Sequence, residues 1–493
     1  MPKTIIVGGG LAGLATAVKL LDAGIEVELI EKRDVLGGKT SSWQDDAGDH
    51  IESGLHCYFR CYKELLPFFK HVGVYQHIRW KEHSFLIARP DGKHARLHFP
   101  KLPAPLNGMV AFTNNDLFTL REKLSNLLGL ATTWIGTLDY IKTLDHMSFR
   151  QWRQEHLIAE GVERKLWDVI CLSLGFIGAE DMSARPMTTI FHYFATVADA
   201  SQFGTLDGSP NERIFKPIAE WIRARGGCLR TGVKVEEVLL DRGGVTGLRI
   251  SDGSTVRGDA YVLAAPVHST RQLLPNSLRG VDYFDKLWKL RSVPTINIQL
   301  WFDRYVTRID NFWFTADACF SVFGDLALTS PRQYDRHGGS MVAMCVAPAA
   351  PYWQHSDAEI VELCRRDLAR LWPEARSARL IKGTATRIPN SLYREEPGAD
   401  RYRPDQRSPI ANLFLAGDWT AQDYMASMEG AVQSARRAAG YVVAYLRTGM
   451  GVIAVSEEID PRALESGSHA AGLQRINSSA RRCRGWGMGS GGY

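Results

Sequence analysis

The sequence predicts an α/β protein in which a helix-covered parallel sheet, begun within the first ten residues, is joined to a second body of mixed α+β structure. Three observations carry this. A short apolar run (4–7), a glycine turn (8–13), an apolar-periodic helix (14–23) and a second apolar run (26–30) make a βαβ unit. Near the other end, a run at 412–416 enters Gly417-Asp418 and, after Tyr424, a small-residue helix reaching about residue 446. Between them, alternation punctuated by Gly and Pro over 292–346 reads as a second sheet.

The intervening elements follow in order. Residues 102–108 are rich in Pro and Leu and lead into an apolar stretch at 127–141, which carries Leu127, Leu128 and Trp134 with few charges. Such a stretch suits a helix lying on a membrane surface. Residues 207–265 read as a helix, a Gly226-Gly227 break and three short runs (233–240, 245–250, 260–264) forming a β-meander. An amphipathic helix covers 358–371. Beyond 449 apolar periodicity is lost, and 449–493 reads as a disordered tail.

At 493 residues, 45% hydrophobic and 23% charged, the chain has the makings of a large packed core and is neither disordered nor fibrous. Its 59 basic residues against 54 acidic ones give +5, too small an excess over this length for nucleic acid to be a partner. Eight cysteines with no CxxC and no matching His pair argue against a zinc site, and no metal is expected. They fit a reducing compartment. The N-terminus shows neither a charged leader nor a cleavage site, and no run reaches the ~18 apolar residues of a membrane span.

The chemistry starts at Gly8, Gly10 and Gly13, a GxGxxG set between a strand and a helix. Gly8 makes the tight turn, Gly10 lets a pyrophosphate approach bare backbone, and Gly13 lets helix and strand pack. Glu31 ends the next strand, 18 positions after Gly13, where an acid accepts from ribose hydroxyls. Gly37-Gly38-Lys39 follows directly, and Gly417-Asp418 precedes a second helix from the far end of the chain. A nicotinamide enzyme has no need of this second set. An acid before a helix N-terminus suits the ribityl and diphosphate region of FAD.

The segments GGGLAG (8–13), VLGGKTSSW (35–43), HIESGLH (50–56), APLNG (104–108), LGFIGAEDMSAR (174–185), SLYREEPG (391–398), YRPDQRSPIANLFLAGDWTAQDY (402–424) and SMEGA (427–431) together resemble the plant- and cyanobacterial-type carotene desaturases. These belong to the glutathione-reductase-related flavoproteins that include amine oxidases, so the resemblance implies a Rossmann-type FAD-binding domain with a mixed α+β substrate domain. It implies a discontinuous FAD-binding domain from 1–80, 205–270 and 400–448, and a substrate and membrane-facing domain from 81–204 and 271–399. It further implies that Ala12, Glu31, Lys39, Gly54, Leu55, Asp418 and Met428 line the flavin site. Val235 would offer backbone contacts to the adenine end. Glu52 and His56 are titratable candidates for a chemical role, with a structural role as the alternative.

The implied activity is desaturation of ζ-carotene through neurosporene to a poly-cis lycopene, by hydride transfer to flavin. Residues 177–201 and 391–437 carry the ζ-carotene pattern, while LDGSPNER (206–213) resembles the phytoene-directed sister and keeps 15-cis-phytoene as the alternative substrate. A flavin amine oxidase is the more distant alternative, since it shares the two glycine signatures but not YRPDQ or APLNG. The resemblance also implies a plastoquinone-like membrane quinone as electron acceptor. The expected location is peripheral, on the cytoplasmic side of a thylakoid or plasma membrane.

Overall fold

The structure is a computed structural model and describes residues 1–90 and 94–448. Its centre is a five-stranded parallel sheet in the order Cys228–Arg230, Glu26–Ile30, Lys3–Val7, Ala260–Leu263, Leu413–Leu415. A parallel sheet cannot be closed by hairpins, so each neighbour arrives from a distant part of the chain and both faces are covered. Side-chain alternation sets which cover each face meets. Ile6, Val262 and Phe414 pack with the Leu11–Asp22 and Met428–Arg447 helices, which also pack on each other. Ile5, Val7, Tyr261, Leu263, Leu413 and Leu415 face a three-stranded antiparallel layer, Val235–Asp241, Gly244–Ile250 and Thr255–Val256.

Two expectations are corrected here. The run at 260–264 is not the last strand of a meander: Ala260–Leu263 is a parallel strand beside Lys3–Val7. Four buried apolar residues suit a central parallel strand as well as a meander strand, and pairing direction leaves no mark on so short a run. The first helix begins at Leu11 rather than 14, because the glycine turn is itself its first turn, with Gly10 as N-cap.

The second sheet has seven strands in the order Leu380–Tyr393, Ser292–Phe302, Met341–Val346, Val322–Asp325, Phe312–Phe314, Ser84–Ile87, Ala95–His98. It is wider than the expected 292–346, taking strands from both sides of that region. The Asp357–Leu371 helix packs against it and opens on a reciprocal capping box, Ser356 with Glu359. A small sheet of Tyr58–Phe59, Phe203–Leu206 and Ile78–Trp80 connects the first 80 residues to the region after 200. A helical layer includes Leu106–Thr113, Leu120–Ile135 and Ala184–Thr196. The expected tail, 449–493, lies outside the described residues. Among the described residues no helix is long and apolar enough to cross a membrane.

Candidate functional site

The glycine turn is shaped by backbone-to-backbone contact. Gly8 has φ +111°, and a Cβ there would stand 2.7 Å from the Ala264 carbonyl oxygen. A Cβ on Gly13 would overlap the Gly8 carbonyl oxygen itself. Gly10 differs: a Cβ there would meet nothing closer than the Gly38 Cα at 3.8 Å. The fold therefore requires glycine at 8 and 13 for its own packing, while the space beside Gly10 is left to a ligand. Ala12 is buried in the first turn of the helix. An arrangement of this kind suits a diphosphate held against bare N–H groups.

Glu31 closes one side. Its carboxylate accepts from the Gly9 N–H at 2.7 Å and the Arg33 N–H at 2.9 Å, which fixes it and leaves lone pairs for hydroxyl donors. The Glu31 backbone accepts from the Val233 N–H at 3.0 Å, so buried Val235 follows two residues beyond this contact. On the other side Lys39 Nζ lies 2.6 Å from Asp418 Oδ2, joining positions 379 apart in the chain. Gly417 has φ +153° beneath the Trp419 ring, and its N–H donates to Ser434 Oγ at 2.8 Å. Met428 opens the last helix, half-buried. Buried Arg403 donates to the Asp418 and Thr420 carbonyls at 3.3 and 2.7 Å, holding this loop from within the YRPDQ segment.

A third cluster lies across Lys39. His56 Nε2 is 3.2 Å from the Lys39 carbonyl oxygen, which can only accept, so Nε2 carries the hydrogen. Its Nδ1 then has the lone pair; it is buried, has no hydrogen-bond partner, and sits 3.9 Å from Glu52 Oε2. Glu52 is buried and accepts from the Tyr334 hydroxyl. With Leu55 these residues line a small cavity. A Cβ on Gly54 would press on the His56 ring at 3.2 Å. Burial pushes the neighbouring Cys57 thiol up to about 12, so it stays protonated and offers no attachment nucleophile.

Sequence reasoning missed three participants. Tyr334 reaches Glu52 across 282 positions, and no local pattern announces it. Glu429 does not serve its own helix: its carboxylate accepts from the N–H groups of Lys63, Glu64 and Leu65, capping the Leu65–His71 helix, while burial pushes it up to about 7. Trp419 is a buried pin whose Nε1 donates to the Ala265 carbonyl at 3.0 Å. Aromatic residues that do form a lane are Phe99, Phe85, Phe194, Phe59, Tyr62 and Tyr424. Successive ring centroids along it are 5.4 to 6.4 Å apart, and it leads from the edge of the seven-stranded sheet to Tyr424.

A profile of the "Flavin containing amine oxidoreductase" family matches residues 11–443. A zeta-carotene desaturase of Synechocystis sp. is 41% identical over 475 residues, covering 90% of this chain and 97% of its own. A 15-cis-phytoene desaturase of Synechococcus elongatus is 38% identical over 455 residues, covering 90% and 96%. Among solved structures, an oxidoreductase from Methanosarcina mazei superposes with TM-score 0.68 at 18% identity, over 88% of this chain and 99% of that one. A putative protoporphyrinogen oxidase from Exiguobacterium sp. gives 0.66 at 17% identity, over 90% and 99%. The two structures share the fold.

The contrast between the glycines is testable by paired variants. Gly13→Ala is expected to lose about 1–3 kcal/mol of stability or more from overpacking against backbone, seen as a lowered thermal midpoint. Gly10→Ala is expected to melt like the parent yet bind FAD at least about tenfold more weakly, because its methyl occupies the space of the diphosphate.

Proposed function

The chain belongs to the carotene desaturases of the flavin containing amine oxidoreductase family, and we propose that within it this protein desaturates ζ-carotene and passes the electrons to a membrane quinone. It is an FAD-dependent oxidoreductase. The open space beside Gly10, the fixed Glu31 carboxylate and the Lys39–Asp418 pair fit the cofactor's diphosphate and sugars. In the same reading Ala12, Gly54, Leu55, Gly417 and Met428 line the site, and Val235 supports the adenine end. The cofactor body comprises 1–80, 205–270 and 400–448, and the substrate body 81–204 and 271–399.

A carotene offers no polar group for side chains to act on, and FAD, when bound, supplies the missing chemistry by accepting a hydride from an allylic carbon. Each new double bond also releases one proton. His56 Nδ1 takes it: the Lys39 carbonyl fixes the opposite nitrogen as the donor, and the Glu52 carboxylate, steadied by Tyr334, stabilises the imidazolium that forms. Buried aromatic rings exclude water and orient the chain. His56→Gln is expected to keep its FAD while carotene-driven flavin reduction slows on the order of 10²-fold in stopped-flow absorbance. A change below about twofold removes the role.

A water-insoluble substrate must come from a bilayer, and the surface supports peripheral docking. Leu120, Leu124 and Leu128 recur every fourth residue along the Leu120–Ile135 helix, 73%, 52% and 75% exposed, and with Leu157 they line a shallow groove of about 570 Å³. Leu102 and Leu106 are exposed as well. The expected face holds at Leu128 and shifts elsewhere. Leu127 is half-buried, and the Trp134 side chain lies outside the described residues. Replacing Leu120, Leu124 and Leu128 together by Asp is expected to shift the protein from the vesicle pellet to the supernatant with flavin content unchanged.

The single observation that carries the ζ-carotene reading is the identity to the Synechocystis enzyme over nearly both whole chains. The residues at 177–201 and 391–437 support the same choice. The assay uses liposomes containing a plastoquinone-like quinone and either 9,9'-di-cis-ζ-carotene or 15-cis-phytoene. Neurosporene and lycopene are expected from the first and no ζ-carotene from the second; the reverse pattern makes phytoene the substrate. Turnover with NAD(P) and none with quinone rejects the acceptor.

A further inference from the structure

His268 lies just beyond the turn that packs against the diphosphate cradle and has no part in the reaction described above. The turn that leads to it is wedged against the cradle: Ala264 meets Gly8 through its carbonyl and faces Gly13 with its Cβ, and Ala265 is held by Trp419. His268 comes three residues later, in the Val267–Leu273 helix. Its Nδ1 is buried and has no hydrogen-bond partner.

The charges around this ring have one sign. The charged groups that act on it are Lys32, Arg271 of its own helix and Lys39. Arg271 is committed to the Leu290 carbonyl and lies over Trp288. The acids of the cradle are also committed, Glu31 to two backbone N–H groups and Asp418 to Lys39. The imidazole thus sits among cations without a carboxylate of its own, and burial together with Lys32, Arg271 and Lys39 lowers its pKa below the usual 6.5.

Such a site disfavours a proton on the ring until an anion enters it. We propose that His268 is a further ligand of the cofactor's diphosphate, neutral when the cofactor is absent and bound to it as imidazolium. This rests on the FAD reading above. The step balances as one solvent proton added to Nδ1, which turns from an orphaned lone pair into a donor toward a phosphate oxygen. Loading then consumes a proton. The group's pKa is higher in the bound state than in the free state, so FAD affinity is greatest at low pH and declines as pH rises through the bound-state value.

Calorimetric titration of the cofactor-free protein with FAD near pH 7, in buffers of different ionisation enthalpy, counts the protons directly. The parent is expected to take up a measurable fraction of one proton. His268→Gln is expected to take up none and to bind about tenfold more weakly at pH 6, a difference that fades by pH 8. His268→Arg, permanently charged, is expected to bind as tightly as the parent at pH 6, also without uptake. A structural role for the ring predicts neither the rescue nor the lost proton. An unchanged proton count in His268→Gln overturns the proposal, as does one in His268→Arg should the Gln variant fail to fold. A parent that binds no FAD overturns the cofactor reading and this proposal with it, whereas the variant outcomes leave the cofactor reading standing.

Discussion

The first glycine turn meets the Ala264–Ala265 segment backbone to backbone, with no room for a side chain between them. No side chain fits at Gly8 or Gly13, and this absence lets the first helix and the fourth strand of the sheet share one edge. The rest follows from what that edge recruits. The Leu413–Leu415 strand pairs beside Ala260–Leu263, brings Asp418 to Lys39, and places the last helix on the first. Three stretches far apart in the chain thereby meet around one slot, and their meeting depends on two missing methyl groups.

What the slot lacks is as informative chemically. Its charged side chains are largely paired with one another or with backbone, while two buried imidazole nitrogens, His56 Nδ1 and His268 Nδ1, are left without a partner. Pairing holds the charged groups in place, so they bind and orient rather than attack. Oxidising a hydrocarbon requires just this, because reactive power comes from the cofactor and selectivity from where the chain is held. The aromatic lane is built mostly of buried rings packed on one another, rigid faces rather than flexible tips.

Much of this was legible in the sequence because it was local. The βαβ unit, Glu31 at its strand end, and the glycine-acid step before the last helix each carry their own spacing, and the structure has them as strand, turn and helix in that order. Partnership across the chain was not legible. The four residues at 260–263 gave their apolar character but not their direction, so they were expected in the wrong sheet. Tyr334 and His268 occupy unremarkable local contexts, and only tertiary contact puts one on Glu52 and the other among three cations. The outward stripe on the Leu120–Ile135 helix was only partly placed for a related reason: an apolar stretch shows that a face exists, while the neighbouring elements decide which residues remain uncovered.

The short ribbon of Ser42–Gln44 and His50–Glu52 carries Glu52, and its outer edge is not left open. Gln299 accepts from the Glu52 N–H and donates to the His50 carbonyl, and Asn297 donates to the Glu52 carbonyl, so two side-chain amides from the long Ser292–Phe302 strand complete the ladder. A slip of one residue would turn Glu52 to the opposite face and break all three bonds together. Ribbon and strand are consequently held together as one structural part. A substrate body grafted from a relative onto this cofactor body would need both amides at matching positions, which sets a practical rule for building chimaeras in this family.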